Sequence, residues 1–294
     1  MKALHYVPRA AARNLARQQT NTVGLLFSVF AGEFCGPLLT GIEDVLNRDG
    51  YHLLLSTAGR SGPQSALPAS LRRPNADGLL IFAHALDDEG LAHTASFGPP
   101  AVLIHQSPPA GVQIPCVTIE NKAASRALVE HLITAHGRRQ IAFLQGPPGN
   151  EDSYWREMGY REALAKHNLA SDPALVARGD FDQEVAAAAV ARWLADAVAF
   201  DAVFAGDDEA AVGALRALKE AGLAVPAEVA VVGFDDQRLA TVLTPPLTTV
   251  HAPTEEVGRT AAQQLLRLIR GGQASPLTLL PTTLVTRRSC GCGA

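Results

Sequence analysis

The sequence predicts an α/β fold of two lobes, each a parallel sheet flanked by helices, and three observations lead there. Short apolar runs alternate with amphipathic stretches along almost the whole chain, which is the pattern of parallel strands joined by helical crossovers. The composition, 47% hydrophobic and 18% charged but only 5% aromatic, is rich in Ala, Gly and Leu and favours helices packed on sheets over a β-sandwich. The length, 294 residues, exceeds the ~100–200 residues of an ordinary single domain and leaves room for two cores.

The elements follow in order. Pro8 suits a first helical turn, where its missing N–H costs nothing, and residues 10–17 continue as a helix-forming run before a polar connector over 18–21. Val23–Val29 reads as a strand buried on both faces. A helix carrying Leu38, Leu39, Ile42, Val45 and Leu46 then stops at Asp49-Gly50. Strand Tyr51–Leu55 follows, then a Pro/Gly/Ser-rich stretch with one short helix, then strands Gly78–Phe82 and Val102–Ile104. The second half repeats the theme. Helix Lys122–Ala135 ends at the C-cap signal His136-Gly137. Strand Ile141–Leu144 leads to helix Trp155–His167, helix Gln183–Ala197 to strand Ala202–Phe204, and helix Glu209–Ala221 to strand Val229–Val232. Strand Leu247–Val250, helix Thr254–Arg270 and one closing strand, Leu279–Thr286, complete the chain. The expected division is an arm over 1–20, one lobe from 21–120 with 251–278, and a second from 121–250 with 279–294.

Charge and cysteine content exclude several classes. The net charge of −4 gives no whole-molecule attraction to nucleic acid or anionic membrane. Lys2, Arg9, Arg13 and Arg17 are nevertheless the only charged residues of the first 32, so that arm is a solvated basic segment or a phosphate-contacting one. No apolar run approaches the ~18–20 residues of a membrane span, and Arg9, Arg13 and Arg17 interrupt any signal-peptide core, so a cytoplasmic protein with no membrane partner is expected. Cys35, Cys116, Cys290 and Cys292 match neither a four-ligand zinc spacing nor a disulfide framework. The terminal Cys290-Gly291-Cys292 is a weak metal or oxidation signal, and no metal site is assigned. Phosphate loops, zinc-protease helices and nucleophile elbows are missing from the sequence, and its nine histidines show no ligand spacing. No enzyme and no cofactor are expected.

What remains is a set of polar residues directly after apolar strands. Strand Ile141–Leu144 runs into Gln145-Gly146-Pro147-Pro148-Gly149-Asn150-Glu151-Asp152 and then Trp155-Arg156 at a helix start, where a cation opposes the helix dipole and needs a partner. Strand Ala202–Phe204 runs into Gly206-Asp207-Asp208, and Val229–Val232 into Gly233-Phe234-Asp235-Asp236. Asp208 and Asp236 suit helix N-caps. Arg156, Asp207 and Asp235 fit either surface ion pairs or the rim of a pocket for a polyhydroxylated or heterocyclic ligand, since ligands in such folds sit at the carboxyl ends of strands.

Several segments carry a resemblance. Residues 6–16, Thr22-Val23-Gly24-Leu25, Gly41-Ile42-Glu43, Ala76-Asp77-Gly78-Leu79-Leu80, Gly159-Tyr160-Arg161-Glu162-Ala163-Leu164, Val232-Gly233-Phe234-Asp235-Asp236 and Pro245-Pro246-Leu247-Thr248-Thr249-Val250 together resemble the lactose-repressor (LacI/GalR) family of transcription regulators, in order and over nearly the whole chain. The resemblance implies two Rossmann-like lobes of the type I periplasmic-binding-protein kind around an effector cleft, side-by-side homodimers, and an allosteric DNA-binding regulator of a small polar effector, a sugar or a nucleoside-like molecule. It places Arg156 and Asp235 at the main effector positions, Phe181 as the aromatic that stacks on the ligand, and Asn150, Asp152 and Phe34 along the cleft. From the residues alone Phe181 reads as core packing.

Departures from the family pattern bear on which effector binds. Asp207 stands where Asn is usual and is expected to add negative charge, His105 where Asp is common, and Glu120-Asn121 where Asp-Asn is common. Residues 6–17 resemble the hinge helix, whose leucine, here Leu15, wedges into the minor groove while Arg9, Arg13 and Arg17 contact phosphate. Only five residues precede Tyr6, so the helix-turn-helix headpiece is absent from the expected architecture and operator DNA is a partner only of a full-length form. Two further readings stand beside this one: a transport-linked solute-binding protein, and the sensor of a larger signalling protein.

Overall fold

The computed structural model describes residues 20–28, 32–59 and 62–293; the hinge residues Arg9, Arg13, Leu15 and Arg17 lie outside them. The described chain divides into two compact units. One comprises residues up to 28, Leu38–Val117 and Glu255–Thr278; the other comprises 32–37, Thr118–Thr254 and 279–293.

The first unit is built on a six-stranded sheet. Its strands are β1 (Thr22–Phe27), β2 (His52–Thr57), β3 (Gly78–Phe82), β4 (Ala101–Ile104), β5 (Cys116–Ile119) and a late strand, β11 (Leu277–Leu280), in the order β11-β5-β4-β3-β1-β2. The pairs β1–β2, β1–β3, β3–β4 and β4–β5 are parallel. Val23, Leu25, Leu26, Leu79, Leu80 and Ile81 are fully buried, as the continuous apolar runs of a doubly covered parallel sheet require. Edge strand β2 is half-exposed. Helices α1 (Cys35–Arg48) and α2 (Asp88–Phe97) belong to the first half of the chain. A short 3-10 turn over Ala69–Leu71 occupies the Pro-rich stretch.

The second unit has a four-stranded sheet in the order β7-β6-β8-β9, with β6 (Ile141–Gln145), β7 (Val176–Arg178), β8 (Ala202–Ala205) and β9 (Ala230–Val232), all parallel. Helices α3 (Lys122–His136), α4 (Glu151–Lys166), α5 (Gln183–Ala195), α6 (Asp208–Glu220) and the single-turn α7 (Leu239–Val242) connect and flank it. Strand β10 (Thr249–His251) pairs antiparallel with β12 (Thr283–Val285). Tyr160 anchors α4 to the sheet: it is fully buried, its hydroxyl donates to the Ile141 carbonyl at 2.8 Å, and its ring stacks on Phe143 at 5.2 Å. Burial pushes its phenol up to about 12.

Several of the described elements have no counterpart in the sequence pattern. Helix α2 contains Gly90 and a weak apolar stripe, and it starts because Asp87 accepts from the Gly90 N–H. Strands β5 and β7 are too short, at four and three residues, to show a period. The single closing strand expected over 279–286 is two strands in different sheets. β11 ends at Leu280, and Pro281, which has no N–H to give a ladder, separates it from β12.

Helices cross at glycines, and two of these, Gly41 and Gly159, lie in segments that carry the resemblance. Gly41 in α1 and Gly258 in α8 (Thr254–Ile269) approach each other's helices so closely that a Cβ would lie 1.9 Å from the Glu255 carbonyl oxygen and 2.2 Å from that of Leu38. In the second unit, a Cβ at Gly159 of α4 would meet the Lys122 carbonyl oxygen of α3 at 2.2 Å. Ala exceeds Gly in helix propensity by about 1 kcal/mol, yet Gly159→Ala is expected to lower stability by about 1–3 kcal/mol because helix backbones must separate. Urea denaturation measures this; a stabilised variant would refute the close packing.

Candidate functional site

The candidate site lies where β6, β8 and β9 of the second unit end. Helix α4 begins at Glu151, one turn earlier than the sequence indicates, because Asn150 is its N-cap and accepts from the Ser153 N–H at 2.9 Å. Arg156 therefore sits in the second turn, beyond the strongest reach of the helix dipole. It shares the buried face with Asp152, Ser153, Gly159, Tyr160 and Ala163, the spacing of one helical stripe. Trp155, one residue away, points outward and is 39% exposed.

Arg156 is only 3% exposed, so it is no surface ion-pair partner. Its Nε donates to Asn121 Oδ1 at 2.9 Å, its Nη1 to the Gly206 carbonyl at 2.6 Å and its Nη2 to Asp235 Oδ1 at 3.2 Å. The guanidinium lies 3.8 Å from the Phe234 ring centroid and 5.6 Å from that of Phe181, within cation–π range. Asn121 relays the network onward, since its Nδ2 donates to Asp152 Oδ1 at 2.8 Å, and Thr118 Oγ1 stands 3.4 Å from the same oxygen. A buried guanidinium is tolerable only with such a set of hydrogen bonds and a counter-charge.

Phe181 follows β7, and both Asp180 and Phe181 adopt the left-handed region, at φ 52° and 56°. The conformation is uncommon for residues with side chains, and it lays the half-buried Phe181 ring over two glycines. A Cβ on Gly146 would come 2.3 Å from the ring, and one on Gly206 3.1 Å. Phe181 is therefore a rim residue packed flat on backbone, and not buried core. Asp235 is likewise held at φ 106°, with its N–H donating to the Val250 carbonyl at 2.8 Å. Bulky φ-positive residues cluster at functional sites because the surrounding fold enforces them.

The aspartates after β8 and β9 exchange the roles the sequence assigns. The N-cap of α6 is Asp207, not Asp208: its Oδ1 accepts from the Ala210 N–H at 2.8 Å. Asp208, already inside the helix, is fully buried and ties the loop after β9 in place, accepting from the Gln237 N–H at 2.8 Å and from Thr249 Oγ1 at 2.6 Å. Asp236 caps no helix. It pairs with Arg287 at 2.6 Å and His251 at 3.1 Å. Burial, reinforced by the negative charge of Asp235, pushes the Asp207 carboxyl up to about 8, and burial drives Asp208 upward as well. An Asp207 carboxyl raised that far carries little of the negative charge at neutral pH that its formula implies.

The remaining expected site residues are placed separately. Asp152 belongs to the network just described, while Asn150 is the N-cap of α4, accepting from the Ser153 N–H. Phe34, half-buried, lies in the 32–37 segment of the second unit. His105 follows β4 in the first unit, buried, at φ 58°, with its N–H bonded to the Val117 carbonyl and its ring 5.7 Å from Phe82. Asn121 and Phe234 complete the site and were not singled out as ligand-site residues. Phe234 could have been found as the aromatic beside Asp235; Asn121 was marked only through the Glu120-Asn121 pair, and its partners in the network are 31 and 35 residues away.

The raised acid at Asp207 has a pH signature. A carboxyl held near 8 when folded, against an ordinary value of 3.8, binds more protons folded than unfolded throughout that window. Its contribution to stability is thus complete below about pH 4 and declines as pH rises towards 8, at up to about 1.4 kcal/mol per pH unit. Asp207→Asn keeps the cap oxygen and cannot ionise. Its stability relative to the wild type is expected to climb between pH 5 and pH 8 in parallel denaturant titrations; superimposed pH profiles would rule out the raised acid.

Comparison with known proteins places this architecture. Residues 129–290 match the periplasmic binding protein-like domain. The HTH-type transcriptional regulator CelR of Thermobifida fusca is 37% identical over 299 residues, covering 98% of this chain and 87% of its own length. The ribose operon repressor of Escherichia coli is 32% identical over 273 residues, covering 92% of this chain and 82% of its own. A solved CelR–cellobiose complex superposes with a TM-score of 0.83 at 34% identity, covering 98% of this chain and 93% of that one. The lac repressor dimer bound to operator and an anti-inducer gives 0.86 at 28% identity, covering 99% and 87%. With relatives above 30% identity along nearly its entire length and the matching domain over more than half of it, the chain belongs to the LacI family of transcriptional regulators.

Proposed function

We propose that the chain is the sensing part of an allosteric regulator, and that its effector is a neutral polyhydroxylated molecule of the sugar class bound at the Arg156 network. The supporting observation is a buried guanidinium, hydrogen-bonded through each of its three nitrogens, beneath a half-exposed aromatic at the carboxyl ends of three parallel strands. Arg156 is balanced by Asp235, and Asp207 carries little charge, so the rim offers hydrogen-bonding oxygens and nitrogens without an uncompensated cation. Such a rim suits vicinal hydroxyls, with carboxylates and amides accepting and donating and Phe181 covering the apolar face of a ring. An anionic ligand would compete with Asp235 for the guanidinium. Cellobiose, the molecule in the CelR complex, is of this class, and the Escherichia coli relative is named as the repressor of a ribose operon.

The effector then acts by binding two conformations of the regulator with different affinity, since equal affinity would shift no equilibrium. By likeness to the lac repressor, the working form is a homodimer that binds operator DNA. Asn150, Asp152, Phe34 and His105 are proposed as further effector contacts.

Calorimetry with a panel of mono- and disaccharides, nucleosides and small acids tests the reading, with heat expected from a sugar alone. Arg156→Ala would also strand Asp235 and destabilise the fold by about 3–5 kcal/mol, so Phe181→Ala is the companion variant. It is expected to weaken binding by up to about 10-fold, on the scale of about 0.5–1.5 kcal/mol for a lost aromatic contact, with the fold intact by circular dichroism. Sugar binding that survives both substitutions unchanged would place the effector elsewhere.

A further inference from the structure

A second constellation, remote in sequence from the Arg156 network, is formed by the end of α3 and the C-terminal segment. His131 and His136 on α3 converge with Cys290 and Cys292, and one ligand atom from each lies within 4.8 Å of all the others. The two Nε2 atoms are 3.2 Å apart. Cys290 Sγ is 3.6 Å from His131 Nε2, while Cys292 Sγ is 3.4 Å from both His131 Nε2 and His136 Nε2. Among the described residues this is the one group of three or more such side chains placed to share an ion.

We propose that His131, His136, Cys290 and Cys292 form a structural Cys2His2 site for a divalent ion of the zinc class. Bond lengths of about 2.3 Å to sulfur and about 2.0–2.1 Å to imidazole nitrogen give a tetrahedron with N–N edges of about 3.3 Å and N–S edges of about 3.6 Å. The four distances above match those edges within a few tenths of an ångström. The donor set is two thiols and two imidazoles with no oxygen ligand, which selects zinc over calcium, magnesium or manganese. Four protein ligands leave no open position, so the role is structural and not catalytic.

The surrounding chain is built to present these atoms. Gly291, at φ 112°, lets the chain turn between the two cysteines, and a Cβ there would sit 3.0 Å from His136 Nδ1. Ser289 fixes the turn, since its hydroxyl donates to the Val231 carbonyl at 2.6 Å and accepts from the Thr248 N–H at 2.8 Å. Thr248 Oγ1 stands 3.1 Å from Cys290 Sγ, placed to hydrogen-bond a ligating sulfur from behind. His136 is the last residue of α3, before Gly137 in the left-handed conformation. The ion would thus clip the C-terminal segment to α3. The sequence reading, which assigned no metal because the histidines show no ligand spacing and Cys290-Gly291-Cys292 is short, missed the pair 154 residues upstream of Cys290 because only the fold brings it close.

The test uses the full chain, stripped with a chelator under reducing conditions and titrated with zinc(II) against a chromophoric chelator. One zinc per chain is expected, with a thermal midpoint that rises with zinc concentration. Cobalt(II) in its place should give tetrahedral d–d bands with a thiolate charge-transfer band. Cys292→Ser and His136→Gln should each abolish stoichiometric zinc binding and the cobalt spectrum while circular dichroism stays native; if either fails to fold, the wild-type cobalt spectrum still reports the ligand set. No zinc retained by the reduced wild type, a cobalt spectrum without thiolate character, or binding indifferent to both substitutions would overturn the site, as would a Cys290–Cys292 disulfide that zinc does not prevent.

Discussion

The second unit is organised around the cost of keeping one guanidinium out of water. Arg156 is buried and hydrogen-bonded to a side chain before α3, a backbone carbonyl after β8 and a carboxylate after β9, with an aromatic face against its plane. Each partner comes from a different segment. Displacing any of them would leave a buried charge underpaired, a penalty of several kcal/mol. The ends of β6, β8 and β9 are therefore not free loops but a set fixed in mutual register, and the uncommon backbone at Asp180, Phe181 and Asp235 is what that register imposes. The same demand explains small residues at Gly146 and Gly206, where any side chain would dislodge Phe181.

Electrostatics at this rim is decided by burial more than by residue type. Three aspartates, Asp207, Asp208 and Asp235, lie within two short loops. If all were ionised, one arginine could not offset them. Desolvation resolves the conflict by raising Asp207 and Asp208, which leaves Asp235 as the partner of Arg156. The two carboxyl groups then do local work, Asp207 capping α6 and Asp208 holding the β9 loop through Gln237 and Thr249. An aspartate at position 207, where the family resemblance implies asparagine, changes less than its formula implies.

The architecture was legible in the sequence because buried parallel strands are long apolar runs, and strands such as β3, with GLLIF, have no other reading. Elements set by three or four residues were not legible, nor was the break at Pro281, which splits a continuous apolar run between two sheets. Within the site, the residues directly after strands were found, since the end of an apolar run marks the rim. Their roles were not. Choosing between Asp207 and Asp208 as the cap depends on a one-residue difference in where α6 starts, and the ionisation of each depends on solvent exclusion by distant segments. Asn121 and the His131–His136 pair are invisible to local pattern for the same reason: their partners are far along the chain.

Helix α3 joins the two constellations. Its N-terminal residue neighbour, Asn121, orients Arg156 and Asp152, and its last two turns carry His131 and His136. Between them, Gly159 of α4 brings the two helices to backbone contact, so α3 cannot rotate or slide without disturbing α4 and with it Arg156. A clip at the carboxyl end of α3 would therefore restrain the register of the whole helix, because a packed α-helix moves as a rigid body more readily than it bends. On this reasoning the C-terminal segment is part of the framework that preorganises the proposed effector site, and the His131–His136–Cys290–Cys292 cluster and the arginine network belong to one mechanical unit.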